Sequence, residues 1–429
     1  MTDTVIVPRR SGRGRRIHWA FLVAFAAFVA LLGAAGFRAA PGVLIDPLHH
    51  EFGWSRGTIS TAVSVNLLLY GFIAPFAAAL MERLGMRRVV VGALVLVAAG
   101  SGLTVFMTAS WQLLLCWGVL VGTGTGAMAL TFVATVTSRW FVRHRGLVSG
   151  VLTAASATGQ LVFLPVVAAL ATSHGWRSAS LVVAAAALAV VPVVLLLLRE
   201  HPRDVGTTRY GTDTEEEVVV PVGSSAGRAL RTLGDAARTP AFWLLAGGFA
   251  ICGASTNGLI GTHFVPAAHD HGMPHTTAAA LLALVGLFDV AGTVLSGWLT
   301  DRVDPRWLLG AYYSLRGVSL LVLPHLFAPT TEPPMWAFIV FYGLDWVATV
   351  PPTVALCRER FGEAGPIVFG WVFASHQVGA ALAAFGAGLT RDELGSYDLA
   401  WYVAGGLCAL AAVMSVRIRP TARNHETLR

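Results

Sequence analysis

Apolar stretches of about twenty residues recur along the whole chain, separated by short polar turns and by one long polar connection. A helix needs roughly 20 apolar residues to cross the hydrocarbon core of a bilayer. The pattern therefore predicts an all-α membrane protein with twelve spans, near 18–43, 57–81, 87–108, 111–137, 146–171, 177–198, 241–265, 276–299, 307–327, 335–356, 364–389 and 397–416. The long connection, 199–240, is rich in Arg, Thr, Gly and Glu, and divides the spans into two sets of six. The expected organisation is a tail (1–17), a six-helix bundle (18–198), a linker (199–240), a second six-helix bundle (241–416) and a second tail (417–429).

Composition agrees: 55% of residues are hydrophobic and 12% charged. The net charge of +7 invites a nucleic-acid reading, but its distribution refutes that. All 30 basic residues are Arg, and apart from Arg38, Arg56, Arg177, Arg316 and Arg391 they fall in the two tails and in the connections on one side. Such a bias marks the cytoplasmic side and places both termini there. A multi-pass protein of the plasma (cytoplasmic) membrane is expected. The start, RRSGRGRRIHWAFLVAFAAFVALL, resembles a signal peptide, but its apolar run is long and eleven spans follow, so it reads as an uncleaved first helix. Cys116, Cys252, Cys357 and Cys408 sit in apolar spans without metal-ligand spacing, and His263, His269, His271 and His275 also lack it. No cofactor, metal or required protein partner is expected.

The halves repeat each other. AALMERLGMRR at 78–88 matches GWLTDRVDPR at 297–306, so that Glu82-Arg83 and Asp301-Arg302 correspond at an offset of 219. The same offset aligns Arg139 with Arg358 and Ser156 with Ser375. Acidic-basic pairs in tight turns can bridge helix ends and release them when two bundles rock, which makes Glu82, Arg83, Asp301 and Arg302 candidate gating residues. Internal repeats are expected in transporters whose binding site lies at the repeat interface. Gly122, Gly124 and Gly126 lie inside a span and read as helix packing, not as a nucleotide loop.

With these turns the chain resembles the major facilitator superfamily over its full length. SRWFVRHRGLVSGVLTAASATG at 138–159 resembles, more narrowly, the motif that opens span 5 in monocarboxylate transporters, through Trp140, Phe141, Arg143, Arg145, Gly146, Gly150 and Gly159. PGVLIDPLHHEFGWSRGTIS at 41–60 is similar to the span 1–2 connection of bacterial members, including oxalate/formate exchangers. Departures are Ala78 for Gly, Glu82 for Asp, Asp304 for Gly, and the absence of an acidic-Gly-Gly-Trp motif before span 1. The resemblance implies a fold of two pseudo-symmetric bundles, with spans 1, 4, 7 and 10 lining the cavity and span 9 peripheral.

Ionisable residues inside spans are functional candidates by default. Asp289 lies twelve residues before Asp301, hence roughly 18 Å from that turn at 1.5 Å per residue. His376, Arg316 and Asp345 lie at comparable depth, and Arg38 near the outer end of span 1. Arg316 can pair with Asp345 or Asp289 and fix the bundle. The resemblance places Asp289 where monocarboxylate transporters carry a span 8 Asp, followed one turn later by Arg; here that position is Thr293. It likewise places Arg38 near the family's span 1 lysine, and His376 where the oxalate/formate branch has a span 11 lysine. Asp289 and His376 are candidate proton-coupling residues facing each other across the cavity. Arg38, Asn257, His376, Asn66, Gln160 and Gln377 are candidate substrate contacts, although helix packing is the more common use of such amides.

The function expected is secondary transport, not enzymatic, by alternating access in the bilayer. The cargo is a small organic anion, a monocarboxylate, moving with a proton so that the pair crosses without net charge. Proton-coupled efflux of a larger amphipathic compound, and anion exchange of the oxalate/formate type, are the alternatives. A transporter-like sensor would need an output domain for which 199–240 is too short, and no nucleophile-base constellation suggests an intramembrane enzyme.

Overall fold

The computed structural model describes residues 18–54, 56–212 and 224–419. The arginines of the first tail, Arg423 and Arg429 of the second, and most of the GTDTEEE run of the linker lie outside the described residues, as do the side chains of Arg38, Gln160 and His275. The described chain is helical, with one isolated bridge, between Phe141 and Tyr210, outside the helices. Nine segments among the described residues are long and apolar enough to cross a membrane. One of these, Pro333–Arg391, contains both span 10 and span 11. Span 1 enters only as a shorter apolar helix, Trp19–Ala35, and span 9, Pro305–Val322, which carries Arg306 and Arg316, is not among the nine.

Several spans are single helices: span 2 is Arg56–Leu84, span 5 Arg145–His174, span 8 His275–Thr300 and span 11 Gly365–Leu394. Span 1 runs past its expected end near 43, through Trp19–Phe52, until Gly53 closes it in the left-handed region at φ 68°. Others are interrupted. Span 4 contains a π-helical segment, Leu114–Val121, and breaks again before Leu130–Trp140. Span 7 joins Pro240–Gly253 to Gly261–Asp270 through the π-helical segment Ala254–Ile260. Span 10 is split into Pro333–Asp345 and Val350–Phe361. Interruptions of this kind survive in apolar surroundings only where neighbouring side chains satisfy the freed backbone groups.

Spans 1, 3, 5 and 6 pack together in the first half, and spans 7, 11 and 12 with 9 in the second. The largest contacts between the halves are span 5 with span 8 and span 2 with span 11, and spans 4 and 11 and spans 5 and 10 also touch. The two largest use small residues, as expected where lipid supplies no hydrophobic drive and helices must approach closely to gain van der Waals contact. A Cβ on Gly146 would meet the backbone of Gly297, one on Gly150 the carbonyl of Thr293, and one on Gly370 the ring of Pro75. A buried core continues across this junction, bringing Tyr70, Ala74, Ala129 and Ala134 of the first half against Phe249, Val354, Phe369 and Phe373 of the second. The bundles are therefore closed on the face that carries the linker.

Candidate functional site

The centre of the second half is the break in span 10. Pro351 and Pro352 lack peptide N–H groups, so the carbonyls one turn earlier lose their helical donors. Val350 N–H takes the Val347 carbonyl at 2.9 Å. The Ala348 carbonyl accepts instead from Ser296 Oγ of span 8 at 2.5 Å. The Val347 N–H, freed by the turn, donates to Asp289 Oδ1 at 3.1 Å. Thr293 Oγ1 donates to the same oxygen at 2.8 Å. Asp289, Thr293 and Ser296 are spaced i, i+4, i+7, one face of a helix, and all three are buried. Gly292 on that face lets span 8 lie directly on the Leu344 carbonyl.

Arg316 completes the elbow from span 9. It is 1% exposed. Its Nε donates to Asp345 Oδ2 at 2.6 Å, and one terminal nitrogen to the carbonyls of Asp345 and Trp346 at 2.5 and 3.2 Å. Its other terminal nitrogen reaches Cys252 Sγ at 3.1 Å and Ser255 Oγ at 3.5 Å, next to and within the π-helical segment of span 7. The Ser255 carbonyl is taken by Tyr342 Oη at 2.8 Å. One guanidinium thus joins spans 7, 9 and 10, with five donors fixed in a plane. Asp345 Oδ1 is buried without a hydrogen-bond partner.

The remaining candidates are dispersed. His376 is buried in the contact of span 11 with span 7, its ring 5.0 Å from Phe249 and 5.9 Å from Phe373. Asp289 lies instead between span 8 and span 10. Asn66 is committed to packing geometry, its Nδ2 donating at 2.7 Å to the Trp117 carbonyl in the π-helical segment of span 4. Asn257 is exposed on the π-helical segment of span 7. Gln377 is half-buried and lies against Gly71 of span 2. Arg38 lies within the helix of span 1.

Of the two candidate gating turns, the second caps a helix of the opposite half. Asp301 accepts from the N–H groups of Gly146 and Leu147, at 2.7 and 2.9 Å, at the start of span 5. Free N–H groups and the helix dipole favour a carboxylate there. Glu82 has a different partner, Arg228 of the linker helix Ser225–Ala237. Arg83 and Arg302 are exposed, Arg302 stacked on Trp298 at 3.9 Å.

Residues given no candidate role from the sequence also matter. Tyr70 and Ser156, with Leu31, Thr125 and Met128, line a small cavity in the first half, and Tyr70 meets Phe373 of the second half edge-on at 5.3 Å. Tyr70 is the counterpart of Asp289 at the repeat offset of 219, a signal that was available once that offset was known. Ser296 gave no signal, because a lone serine in an apolar span has many uses.

A profile of the Major Facilitator Superfamily matches residues 23–383 and 250–428. Monocarboxylate transporter 13 of Rattus norvegicus is 30% identical over 394 residues, 90% of this chain and 86% of its own. The uncharacterized MFS-type transporter YcxA of Bacillus subtilis (strain 168) is 27% identical over 406 residues, 94% of this chain and 95% of its own. Among solved structures, the E. coli fucose:proton symporter FucP has a TM-score of 0.66 at 16% identity, with 93% and 100% of the two chains covered. The proton:xylose symporter XylE bound to 6-bromo-6-deoxy-D-glucose has a TM-score of 0.69 at 16% identity, covering 94% and 96%.

Proposed function

The chain belongs to the Major Facilitator Superfamily, and from that premise we propose that it moves a small organic monocarboxylate together with a proton by alternating access. It is a multi-pass membrane transporter and not an enzyme. The observation that carries the finer reading is the place of Asp289. The helix that holds it binds the bend of span 10 on one side, through Asp289 and Ser296. One turn further it lies on Gly150 and Gly146 of span 5, in the other half. A proton arriving at Asp289 changes what its carboxyl offers to the Val347 N–H and the Thr293 hydroxyl. That change acts on a helix shared by the bend and by the junction of the halves. Relatives named as monocarboxylate transporters, aligned over 90% of the chain, support the substrate class.

Thr293 leaves Asp289 without the arginine of that family one turn away, so the anion needs another cation. Arg38, on span 1, and His376, on span 11, are the proposed ones, with Asn257 and Gln377 as neutral contacts. Gln160 stays a candidate by its position in span 5, while Asn66 serves to hold spans 2 and 4. The arginine bias supports cytoplasmic tails and linker in a plasma membrane.

A second reading assigns the proton to Asp345, whose Oδ1 is buried without a partner beside Arg316. Uptake of labelled lactate, pyruvate, acetate and oxalate into proteoliposomes, with and without an imposed pH difference, tests the function. Gradient-driven accumulation of a monocarboxylate supports it. Exchange that ignores the pH difference favours the oxalate/formate type, and transport of none of the four favours a larger amphipathic cargo. Asp289→Asn and Asp345→Asn, measured in parallel, separate the two proton sites.

A further inference from the structure

The two halves share a repeat, yet the linker face is not built symmetrically. At the offset of 219, Glu82 corresponds to Asp301, Gly146 to Gly365 and Leu147 to Pro366. Asp301 binds two N–H groups at the start of span 5. The equivalent site at the start of span 11 has one N–H fewer, because proline has none. The Gly365 N–H is turned to the Gly362 carbonyl. Glu363 stands near Glu82 with like charge. The start of span 11 therefore cannot receive Glu82 as the start of span 5 receives Asp301.

The linker supplies what is missing. Arg228 Nε binds Glu82 Oε2. The helix that carries Arg228 begins at Ser224, whose hydroxyl accepts the Gly227 N–H at 3.5 Å. Its Ala229 is fully buried against Ala78 and Ala79 of span 2 and Ile367 of span 11. The Ala229 carbonyl accepts from Trp371 Nε1 of span 11 at 3.1 Å. Trp371 meets Phe76 of span 2 edge-on at 5.6 Å. The helix thus lies over the junction of spans 2 and 11 and touches both halves. Arg139 of span 4 is near Glu82 as well, but it donates to the Met81 carbonyl at 3.4 Å and faces Glu200 at 3.7 Å.

A second substitution follows the same logic. Asp304 caps span 9 by accepting the Arg306 N–H at 3.0 Å. Its counterpart in the first half is Gly85, which has no side chain to offer. Glu200, at the start of the linker, fills that place and accepts from Met86 and Arg87 N–H groups at 2.5 and 2.9 Å. A Cβ on Gly85 would strike the Glu200 carboxylate.

We propose that the linker helix is a second latch on the linker face, in which Arg228 gives Glu82 the positive partner that Pro366 withholds from span 11. Two residues, Arg238 and Thr239, separate the helix from span 7, so it is tied covalently to the second half. When the halves part on this face, the Trp371–Ala229 bond stays and the Arg228–Glu82 pair breaks. The pair holds the closed state; Asp301 on span 5 is its partner latch across the face.

The latch rests on the alternating-access reading, and the test separates the two. Spin labels at Val142→Cys and Val303→Cys, one exposed position in each half on the linker face and neither in the latch, report the separation of the halves in nanodiscs. Cys357, in the core between the halves, is replaced by serine in this background so that separation does not expose it to label, and the other native cysteines are buried. The unmodified latch should give two distances, the shorter dominant. Arg228→Gln and Glu82→Gln should each raise the ratio of separated to closed by roughly two- to fivefold, the size expected for a partly exposed ion pair. The exchanged pair, Glu82→Arg with Arg228→Glu, should return most of that shift, whereas Arg231→Gln on the same helix should cause none. Two distances with unchanged ratios in both single variants, or an equal shift in Arg231→Gln, would overturn the latch alone. One distance in every variant between pH 5 and pH 8 would overturn alternating access and the latch with it.

Discussion

The Asp289 carboxylate of span 8 accepts the Val347 N–H of span 10 at 3.1 Å, so the acid in the middle of one helix completes the backbone of a break in another. Two further side chains complete that break: Ser296 on the Ala348 carbonyl, and Arg316 on the carbonyls of Asp345 and Trp346. A bend with its polar groups paired in this way is a fixed elbow, not a weak point. Altering one of its side chains changes the elbow in a defined manner.

Asp289→Asn keeps an oxygen that can accept the Val347 N–H, but it cannot exchange a proton. The expected outcome is loss of accumulation driven by a pH difference, the internal-to-external substrate ratio falling to about one, with exchange of substrate across the membrane retained. Counterflow and gradient-driven uptake, measured on the same proteoliposomes, check this. Full accumulation in the variant would remove Asp289 from the coupling.

Arg316→Gln should destabilise the protein by roughly 3–5 kcal/mol, because it leaves the Asp345 charge buried without its partner. Asp345→Asn together with Arg316→Gln should recover a large part of that loss. Thermal unfolding in detergent, followed by native tryptophan fluorescence, gives the comparison. Equal melting temperatures for the single and double variants would show that the pair does not act as a unit.

Gly150→Leu places a side chain where the Thr293 carbonyl lies against span 5. Close approach of the two helices on the linker face is then blocked, and overpacking of this kind costs about 1–3 kcal/mol. The closed state should lose that much relative to the open one, a shift of about five- to 150-fold in their ratio. Accessibility of a cysteine in the interbundle core, Cys357, to a membrane-permeant maleimide should rise. Unchanged labelling would mean that the 5–8 contact does not set the closed state.

His201 lies in the linker outside the spans, and burial, followed by the Arg139 charge, pushes its imidazole down to about 4. Between the ordinary histidine value near 6.5 and this folded value, the unfolded chain binds more protons. Stability therefore rises with pH through that window and is lost as pH falls from about 6.5 toward 4. The side chain is half-buried, so solvent reduces the effect. His201→Gln should flatten the decline in melting temperature over that range while changing little at pH 7.5. A decline as steep as in the parent protein would assign the acid sensitivity elsewhere.

The order of apolar stretches determined the class, since the cost of unsatisfied backbone in lipid leaves helices as the only spanning form for such a sequence, and the repeated turns with the motif at 138–159 pointed to the family. The offset of 219 was equally legible, and with it the pairing of Glu82 with Asp301 as related turns. What each turn touches was not. Pro366 and Gly85 are visible in the sequence, but only the folded chain brings Arg228 and Glu200 to the places they leave. The sequence also left open whether Asp289 or Asp345 meets Arg316. That choice belongs to helix rotation, which the small residues Gly292 and Gly343 set by letting spans 8 and 10 lie backbone to backbone. Rotation then turns Asp289 toward Val347 and leaves Asp345 to Arg316, while His376 points into the contact of spans 7 and 11. Depth along a helix follows from counting residues at 1.5 Å each; direction around it follows from which neighbours can approach, and that is decided by the tertiary structure.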